Sequence, residues 1–320
     1  MIIATLPAIY REELCEEIVA HPLIGGVRYN VGVPSPFEPK ATLEKALAIT
    51  KNHGKKFWLD LKGRQLRITH WAAPLYGKIV LNHEIEVTGS ARVYFRGNDW
   101  SELKLASGNT IYVEPPPREA VGQGQAINII GEAAAAVRIK GYLTDDDRLF
   151  LSAAKELGIA DFMLSFAEQQ SDIDEARAEL GSAGAAARFV LKLESLKGLE
   201  FAKEFAGKLS PAGSIRLMAA RDDLYINIGS NKSRILSAME EIKNIDDRAI
   251  AASWLFGSLE KSDVPALTDY SDLHLLAILG YKHFLLSDGV CQRCFARVME
   301  AWQDYLDNFP LDCLEGDLDG

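Results

Sequence analysis

The sequence predicts an α/β protein: a (β/α)8 TIM barrel with a small β domain inserted after the third strand. Strand-length apolar runs alternate with amphipathic segments, and one β-rich stretch interrupts this rhythm. Eight strands with interleaved helices is the element count of a closed (β/α)8 barrel. The predicted strands, in order, are Ile2–Leu6, Gly26–Val31, Lys56–Leu61, Asp161–Phe166, Phe189–Glu194, Ser214–Ala219, Ala249–Trp254 and His283–Ser287.

Amphipathic segments between these strands predict the helices. Thr144 followed by Asp145, Asp146 and Asp147 is typical of a helix start, with a capping hydroxyl and acids in the first turn. The predicted helices include Arg11–Ala20, Glu38–His53, Asp145–Leu157, Ser171–Leu180 and Ser230–Asn244.

Residues 68–140 break the alternation and predict a separate β domain at the catalytic end of the barrel. Short β-branched or aromatic runs, such as Ala91–Phe95 and Thr110–Val113, are separated there by Gly, Asn and Pro. The glycines at 122 and 124 are no dinucleotide motif, because no strand and helix flank them. We therefore expect a barrel over 1–67 and 141–310, a lid over 68–140, and an acidic tail over 311–320.

Composition excludes several classes of protein. The 320-residue chain is 48% hydrophobic and 25% charged, with a net charge of −10, which argues against nucleic-acid or anionic-membrane binding. Its apolar runs are too short to span a bilayer, and its first residues do not resemble a signal peptide. We expect a cytoplasmic protein, in which Cys291 and Cys294 are helical thiols rather than a metal site.

The strand Phe189–Glu194 carries the most informative pair of residues. Side chains two apart on a strand point to the same side, so Lys192 and Glu194 project together. The next predicted strand leads to Asp222 and Asp223. A cation and several acids at neighbouring strand ends suit a divalent metal and a developing oxyanion.

The order of motifs from Ile2 to about Ala296 resembles the pyruvate kinase family. The chain is similar to that family at its first strand. It is also similar at the family's Ala-Arg-Leu-Asn motif, its Leu-Asp-Thr-Lys-Gly segment and its Ser-Lys-Ile-Glu motif. The corresponding segments here include Val27-Arg-Tyr-Asn30, Leu59-Asp-Leu-Lys-Gly-Arg-Gln-Leu-Arg67, Asp161-Phe-Met-Leu-Ser-Phe166, Leu191-Lys-Leu-Glu194, Met218-Ala-Ala-Arg-Asp-Asp-Leu224 and Ala252-Ser-Trp-Leu-Phe-Gly-Ser258.

The resemblance implies a role for each matching residue. Glu194 and Asp223 would hold Mg²⁺ or Mn²⁺, and Lys192 would neutralise charge on the phosphoryl group and the enolate. The remaining implied roles are phosphate or substrate binding by Arg28, Arg67, Lys62 and Asp222, enolate support by Ser253, and monovalent-cation (K⁺) binding by Asn30 and Asp60.

Several positions depart from the family pattern. Gly32 and Val33 replace a serine and a histidine, and Asp222 replaces a glycine whose N–H would receive the substrate carboxylate. The lid lacks an expected hairpin after Val113, and we expect no C-terminal regulatory domain. The metal and enolate side matches the family better than the nucleotide side does.

Three functions stay open. The first is Mg²⁺-dependent phosphoryl transfer between phosphoenolpyruvate and ADP, as in glycolysis. The second keeps the metal-enolate centre but acts on another 2-oxo acid or phosphorylated acid without a nucleotide. The third is a non-catalytic relative that binds a ligand or partner protein. A homodimer through the barrel helices is compatible with each.

Overall fold

A computed structural model describes residues 1–70, 78–96, 99–118, 121–131, 136–209 and 213–309. The chain forms two compact units. One contains Met1–Leu61 and the chain from Leu149 onward, and the other is Lys62–Arg148. The predicted acidic tail lies outside the described residues, and the predicted domain boundaries stay a prediction.

The elements follow one another in the alternating order expected for the first unit. The strands are β1 (Ile2–Thr5), β2 (Ile24–Asn30), β3 (Lys56–Leu61), β4 (Lys78–Val80), β5 (Ile85–Thr88), β6 (Ala91–Arg96), β7 (Asp99–Ser107), β8 (Thr110–Glu114), β9 (Asn128–Gly131), β10 (Ala136–Ile139), β11 (Asp161–Leu164), β12 (Arg188–Leu193), β13 (Ile215–Ala220), β14 (Ile250–Ala252) and β15 (His283–Leu285). The α-helices are α1 (Glu12–Ala20), α2 (Pro39–Asn52), α3 (Asp145–Leu157), α4 (Gln170–Leu180), α5 (Leu196–Ala202), α6 (Arg221–Asn227), α7 (Arg234–Ile245), α8 (Leu267–Ile278), α9 (Asp288–Arg293) and α10 (Phe295–Asn308).

Eight strands of the first unit close into a parallel barrel, which confirms the predicted closed barrel. The strand order is β1-β15-β14-β13-β12-β11-β3-β2, and every neighbouring pair is parallel. All eight strands therefore end at the same rim of the barrel, where enzymes of this architecture place their chemistry.

An apolar layer fills the middle of the barrel. Its buried members are Ile3, Trp58, Met163, Val190, Met218, Ile250, Ala252 and Leu285. Because strand side chains alternate, residues two before and two after this layer also face the barrel axis. Gly26 makes room for the layer, since a Cβ there would lie 2.3 Å from the Trp58 ring. The layer thus separates two polar ends of one barrel.

Some predicted strands end earlier in the structure. The strand predicted to reach Phe166 ends at Leu164, and the one predicted as Ala249–Trp254 is only Ile250–Ala252. Phe166, Ser253 and Trp254 have φ values of 50°, 72° and 61°, which extended strands do not contain. Aromatic residues favour strands, but the turns at the barrel rim override that preference.

The second unit is built from antiparallel sheets. Five strands are ordered β4-β8-β7-β6-β9, and β5 pairs with β10. Its own buried cluster includes Leu66, Ile68, Val93 and Ile111. Within the described residues of the whole chain, no helix combines the length and apolar character needed to cross a membrane.

Candidate functional site

The carboxyl end of the barrel gathers polar side chains directly beyond the apolar layer. Thr5, Asp60 and Lys192 each follow a member of that layer by two residues, so they face the same interior. Arg28 joins them from β2, and Glu194 follows Lys192 by a further two residues. All five are buried. A layer of charge this deep in a protein requires compensating partners.

Lys192 lies at the centre of this network. Its Nζ is 3.1 Å from Glu194 Oε1 and 3.5 Å from Asp60 Oδ2, and it donates a hydrogen bond of 2.8 Å to Ser165 Oγ. Burial alone would lower the pKa of Lys192, but Asp60 and Glu194 raise it above its ordinary value. The ammonium therefore stays charged and fixed in direction.

Glu194 has a strongly shifted pKa. Burial raises the pKa of Glu194 to about 7, with Asp223 adding to the rise and Lys192 opposing it. The N–H of Phe166 donates to Glu194 Oε2 at 2.6 Å, and the left-handed conformation of Phe166 accompanies this contact. A carboxyl group with a pKa near neutrality can serve as a cation ligand or in proton transfer.

Arg28 is held in place by three elements. Its Nε donates to Asp60 Oδ2 at 2.7 Å, and its Nη1 donates to Thr5 Oγ1 at 3.0 Å. Thr5 in turn donates to the carbonyl of Leu286 at 2.7 Å. Nη2 lies 3.7 Å from Asp288 Oδ2. These contacts give the guanidinium a fixed orientation toward the barrel interior.

Asp60 lies between two cations, Arg28 and Lys192. A K⁺ ion bound to the same carboxylate would be repelled by both of them, so the predicted K⁺ role fits Asp60 poorly. Asn30, the other residue of that prediction, donates to Asp288 Oδ2 at 3.4 Å and accepts from the N–H of Gly32 at 2.8 Å. In this arrangement Asp60 acts as the counter-ion that positions Arg28 and Lys192.

The strand β13 leads into α6, whose first turn contains Asp222 and Asp223. Asp223 is close enough to raise the pKa of Glu194, and the role of both as metal ligands stays a prediction. Asp222 has an exposed side chain. Partial desolvation and the adjacent Asp223 raise the pKa of Asp222, which is opposed by a hydrogen bond from Trp254.

Arg221 fixes the end of β14 beside this turn. It is buried, its Nε donates to the carbonyl of Ala252 at 3.0 Å, and its Nη1 donates to Asp272 Oδ1 at 2.6 Å. Its Nη2 donates to the carbonyl of Ser253. Ser253 and Trp254 both adopt left-handed conformations there, and such strained residues are concentrated at functional sites.

The carboxylates of Glu194 and Asp223 fit a divalent cation. A buried carboxyl group with a raised pKa beside a second acid is relieved by a positive ion. Mg²⁺ often takes only one or two carboxylates and completes its shell with water and substrate oxygens. Among the described residues, no group of three or more His, Cys, Asp or Glu is arranged to hold a metal by itself.

The predicted phosphate ligands Lys62 and Arg67 belong to the second unit. Lys62 Nζ lies 2.6 Å from Asp146 Oδ2, and its backbone N–H donates to Asp147 Oδ1 at 2.8 Å. Arg67 Nη1 donates to the carbonyl of Gly124 at 2.7 Å, and Nη2 donates to Gln65 Oε1 at 2.5 Å. Both side chains thus have partners within their own unit, and their role in binding phosphate stays a prediction.

Cys291 and Cys294 are reduced, buried thiols. Burial raises the pKa of Cys291 to about 12, so its sulfur is a poor nucleophile and a poor metal ligand.

The structure adds four residues that the sequence did not predict in the site: Thr5, Ser165, Arg221 and Asp288. Thr5 and Ser165 each follow an inward-facing apolar residue by two positions, so strand periodicity could have identified them. Arg221 and Asp288 lie in the first turns of helices. No spacing in the sequence marks these two.

The chain matches no protein-family model, and no curated protein matches it at a significant level of similarity. The resemblance to pyruvate kinases therefore stays a prediction.

Proposed function

We propose that the chain is an enzyme whose barrel stabilises the enolate of a small 2-oxo acid. The observation that carries the proposal is the buried contact of 3.1 Å between Lys192 Nζ and Glu194 Oε1, next to Asp223. An enolate oxygen requires a fixed positive charge to develop beside it, and a buried ammonium provides one in a medium of low dielectric constant.

Each residue of the site has a separate role in the proposed reaction. Lys192 neutralises charge that develops on the substrate oxygen, and Asp60 with Ser165 holds the ammonium in position. Arg28, oriented by Asp60 and Thr5, binds an anionic group of the substrate. Ser253 is the proposed hydroxyl group at the enolate face. A divalent cation such as Mg²⁺, bound by Glu194 and Asp223, would supply Lewis-acid polarisation of the substrate oxygen.

In its strict form the reaction is phosphoryl transfer between phosphoenolpyruvate and ADP. We expect purified, folded protein to form pyruvate from these substrates in the presence of Mg²⁺, followed by coupled oxidation of NADH with lactate dehydrogenase. The matched control contains EDTA in excess of the metal. Absence of Mg²⁺-dependent pyruvate formation would contradict phosphoryl transfer to ADP.

The charge balance of the site favours a second reaction, which uses no nucleotide. The side chains of the barrel network include two cations, Arg28 and Lys192, and four acids, Asp60, Glu194, Asp223 and Asp288. Stabilising a nucleotide's phosphates requires an excess of positive charge, whereas a metal-bound 2-oxo acid tolerates this balance. A thermal-shift titration separates the two reactions. Stabilisation by Mg²⁺ with oxalate that ADP does not increase favours the second, and added stabilisation by Mg²⁺ and ADP favours the first.

A cytoplasmic location and a homodimer stay predictions.

A further inference from the structure

The opposite end of the barrel carries a second set of inward-facing charges, which the proposed reaction does not use. Positions two residues before the apolar layer face the axis at the amino-terminal end. Five of these positions lie on strands, namely Lys56, Asp161, Arg188, Arg216 and His283, and the sixth, Arg248, lies in the turn that precedes β14. Four of the six are cations, one is an acid and one is an imidazole. This bias is opposite in sign to the net charge of −10 of the chain.

On one side of this end, Asp161 forms ion pairs with Arg188 and Lys56. Arg188 donates to both carboxylate oxygens of Asp161, at 2.7 and 2.6 Å, and Lys56 Nζ lies 3.6 Å from Asp161 Oδ1. The single carboxylate therefore serves two cations.

The other side is centred on His283, which is 6% exposed. Within the described residues, its Nδ1 is buried and has no hydrogen-bond partner. Burial and neighbouring cations, including the N-terminal ammonium, Arg216 and Arg248, together lower the pKa of His283 to about 3. The ring is therefore neutral at physiological pH and can present a proton on Nδ1 to an acceptor.

Two acids, Asp246 and Asp247, lie near these cations. Asp246 accepts hydrogen bonds from the backbone N–H groups of Leu217 and Arg248, at 2.8 and 3.0 Å, and lies 3.9 Å from Arg248 Nε. Asp247 is 91% exposed at its side chain and pairs with Lys243. Solvent screens the exposed carboxylate of Asp247. The buried Nδ1 of His283, which has no hydrogen-bond partner among the described residues, lies near two guanidinium groups. An oxyanion bound there would accept its proton and interact with both cations.

We propose that the amino-terminal end of the barrel binds the phosphate group of a small metabolite, with Arg216 and Arg248 as anion ligands beside the imidazole of His283. Planar guanidinium groups match two oxygens of a phosphate at once, and a dianion suits a cluster with several cations. The inward position of these side chains limits the ligand to a small molecule. The net negative charge of the chain disfavours a nucleic acid.

Calorimetric titration with inorganic phosphate, at an ionic strength fixed with NaCl, tests the assignment. Loss of one charge-assisted contact should raise the Kd about tenfold, so we expect this increase for Arg216→Gln and for Arg248→Gln. The matched control is Arg234→Gln, which removes an exposed arginine at the start of α7 and should leave the Kd unchanged. Wild-type affinity in both test variants, or no binding to the wild type, would overturn the proposal. Equal binding of citrate would overturn the assignment to phosphate.

Hydrogen exchange of the wild-type protein gives a second test that requires no variant to fold. We expect phosphate to slow exchange of backbone amides in 215–218 and 283–285, at the amino-terminal end. Protection confined to amides around Lys192 and Glu194 would mean that phosphate binds at the carboxyl end only, and would contradict the proposal.

Discussion

At the scale of the residue, Glu194 shows which of two opposing effects prevails. Lys192 lies 3.1 Å away and favours the carboxylate, yet the pKa of Glu194 still rises to about 7. The reason is that Glu194 is 1% exposed, and that Lys192 is shared with Asp60 while Asp223 adds repulsion. Burial thus outweighs one shared ion pair, as is typical of sites whose charge is completed by a ligand.

This balance predicts a pH dependence of stability in metal-free protein. The folded-state pKa of Glu194, about 7, lies above the ordinary value of 4.5, so the folded state holds the proton more tightly. The resulting stabilisation is complete below pH 4.5 and is lost as the pH rises through 7. Glu194→Gln removes this titration, so its free energy of unfolding should fall less over the same range, by roughly 3 kcal/mol.

Urea unfolding at a series of pH values in EDTA, followed by circular dichroism, measures the difference. Glu240→Gln on the exposed face of α7 is the control for loss of a carboxylate. If the Glu194→Gln and wild-type curves run parallel from pH 4.5 to 7, Glu194 has no raised pKa.

Sequence spacing could identify Lys192 and Glu194 because both lie on one strand, where a period of two decides their direction. Their partners come from distant parts of the chain. Asp60 is 132 positions from Lys192, and Asp288 contacts Asn30 across 258 positions. Only closure of the barrel brings such residues together, so the sequence alone suggested a pair where the structure contains a network.

At the scale of the element, the strand ends are where prediction from sequence was least accurate. Phe166 and Trp254 read as strand residues by propensity, yet both have positive φ values. Phe166 turns its N–H toward Glu194, and the carbonyl of Ser253, next to Trp254, accepts from Arg221. These contacts depend on tertiary structure, and local sequence preference does not contain them.

The strand β2 offers a direct test of packing in the barrel. A Cβ at Gly26 would lie 2.3 Å from the Trp58 ring and 3.0 Å from the carbonyl of Lys56. We therefore expect Gly26→Ala to lower the free energy of unfolding by about 1–3 kcal/mol, as overpacking does in a filled core. Gly257→Ala is the control, because nothing lies within 4 Å of the Cβ it adds. Equal urea midpoints for the two variants would show that the ring of Trp58 does not fill this position.

At the scale of the whole molecule, the parallel barrel separates charge along its axis. One apolar layer lies between a network rich in acids at the carboxyl end and inward-facing cations at the amino-terminal end. The strand count was predictable because each strand is a local apolar run. The charge separation was not, since it depends on which side of each strand faces the axis.

Exchange of the methyl protons of pyruvate in deuterated buffer tests the proposed enolate-stabilising role most directly. With Mg²⁺ we expect the wild-type protein to accelerate loss of the methyl signal in proton NMR, relative to Mg²⁺ alone. Lys192→Met should reduce this acceleration at least about 100-fold, as loss of one oxyanion-stabilising group does. Lys197→Met, which removes an exposed lysine of α5, should retain it. Equal exchange by Lys192→Met and wild-type protein, or no Mg²⁺-dependent exchange by the wild type, would contradict an enolate-stabilising role for the barrel.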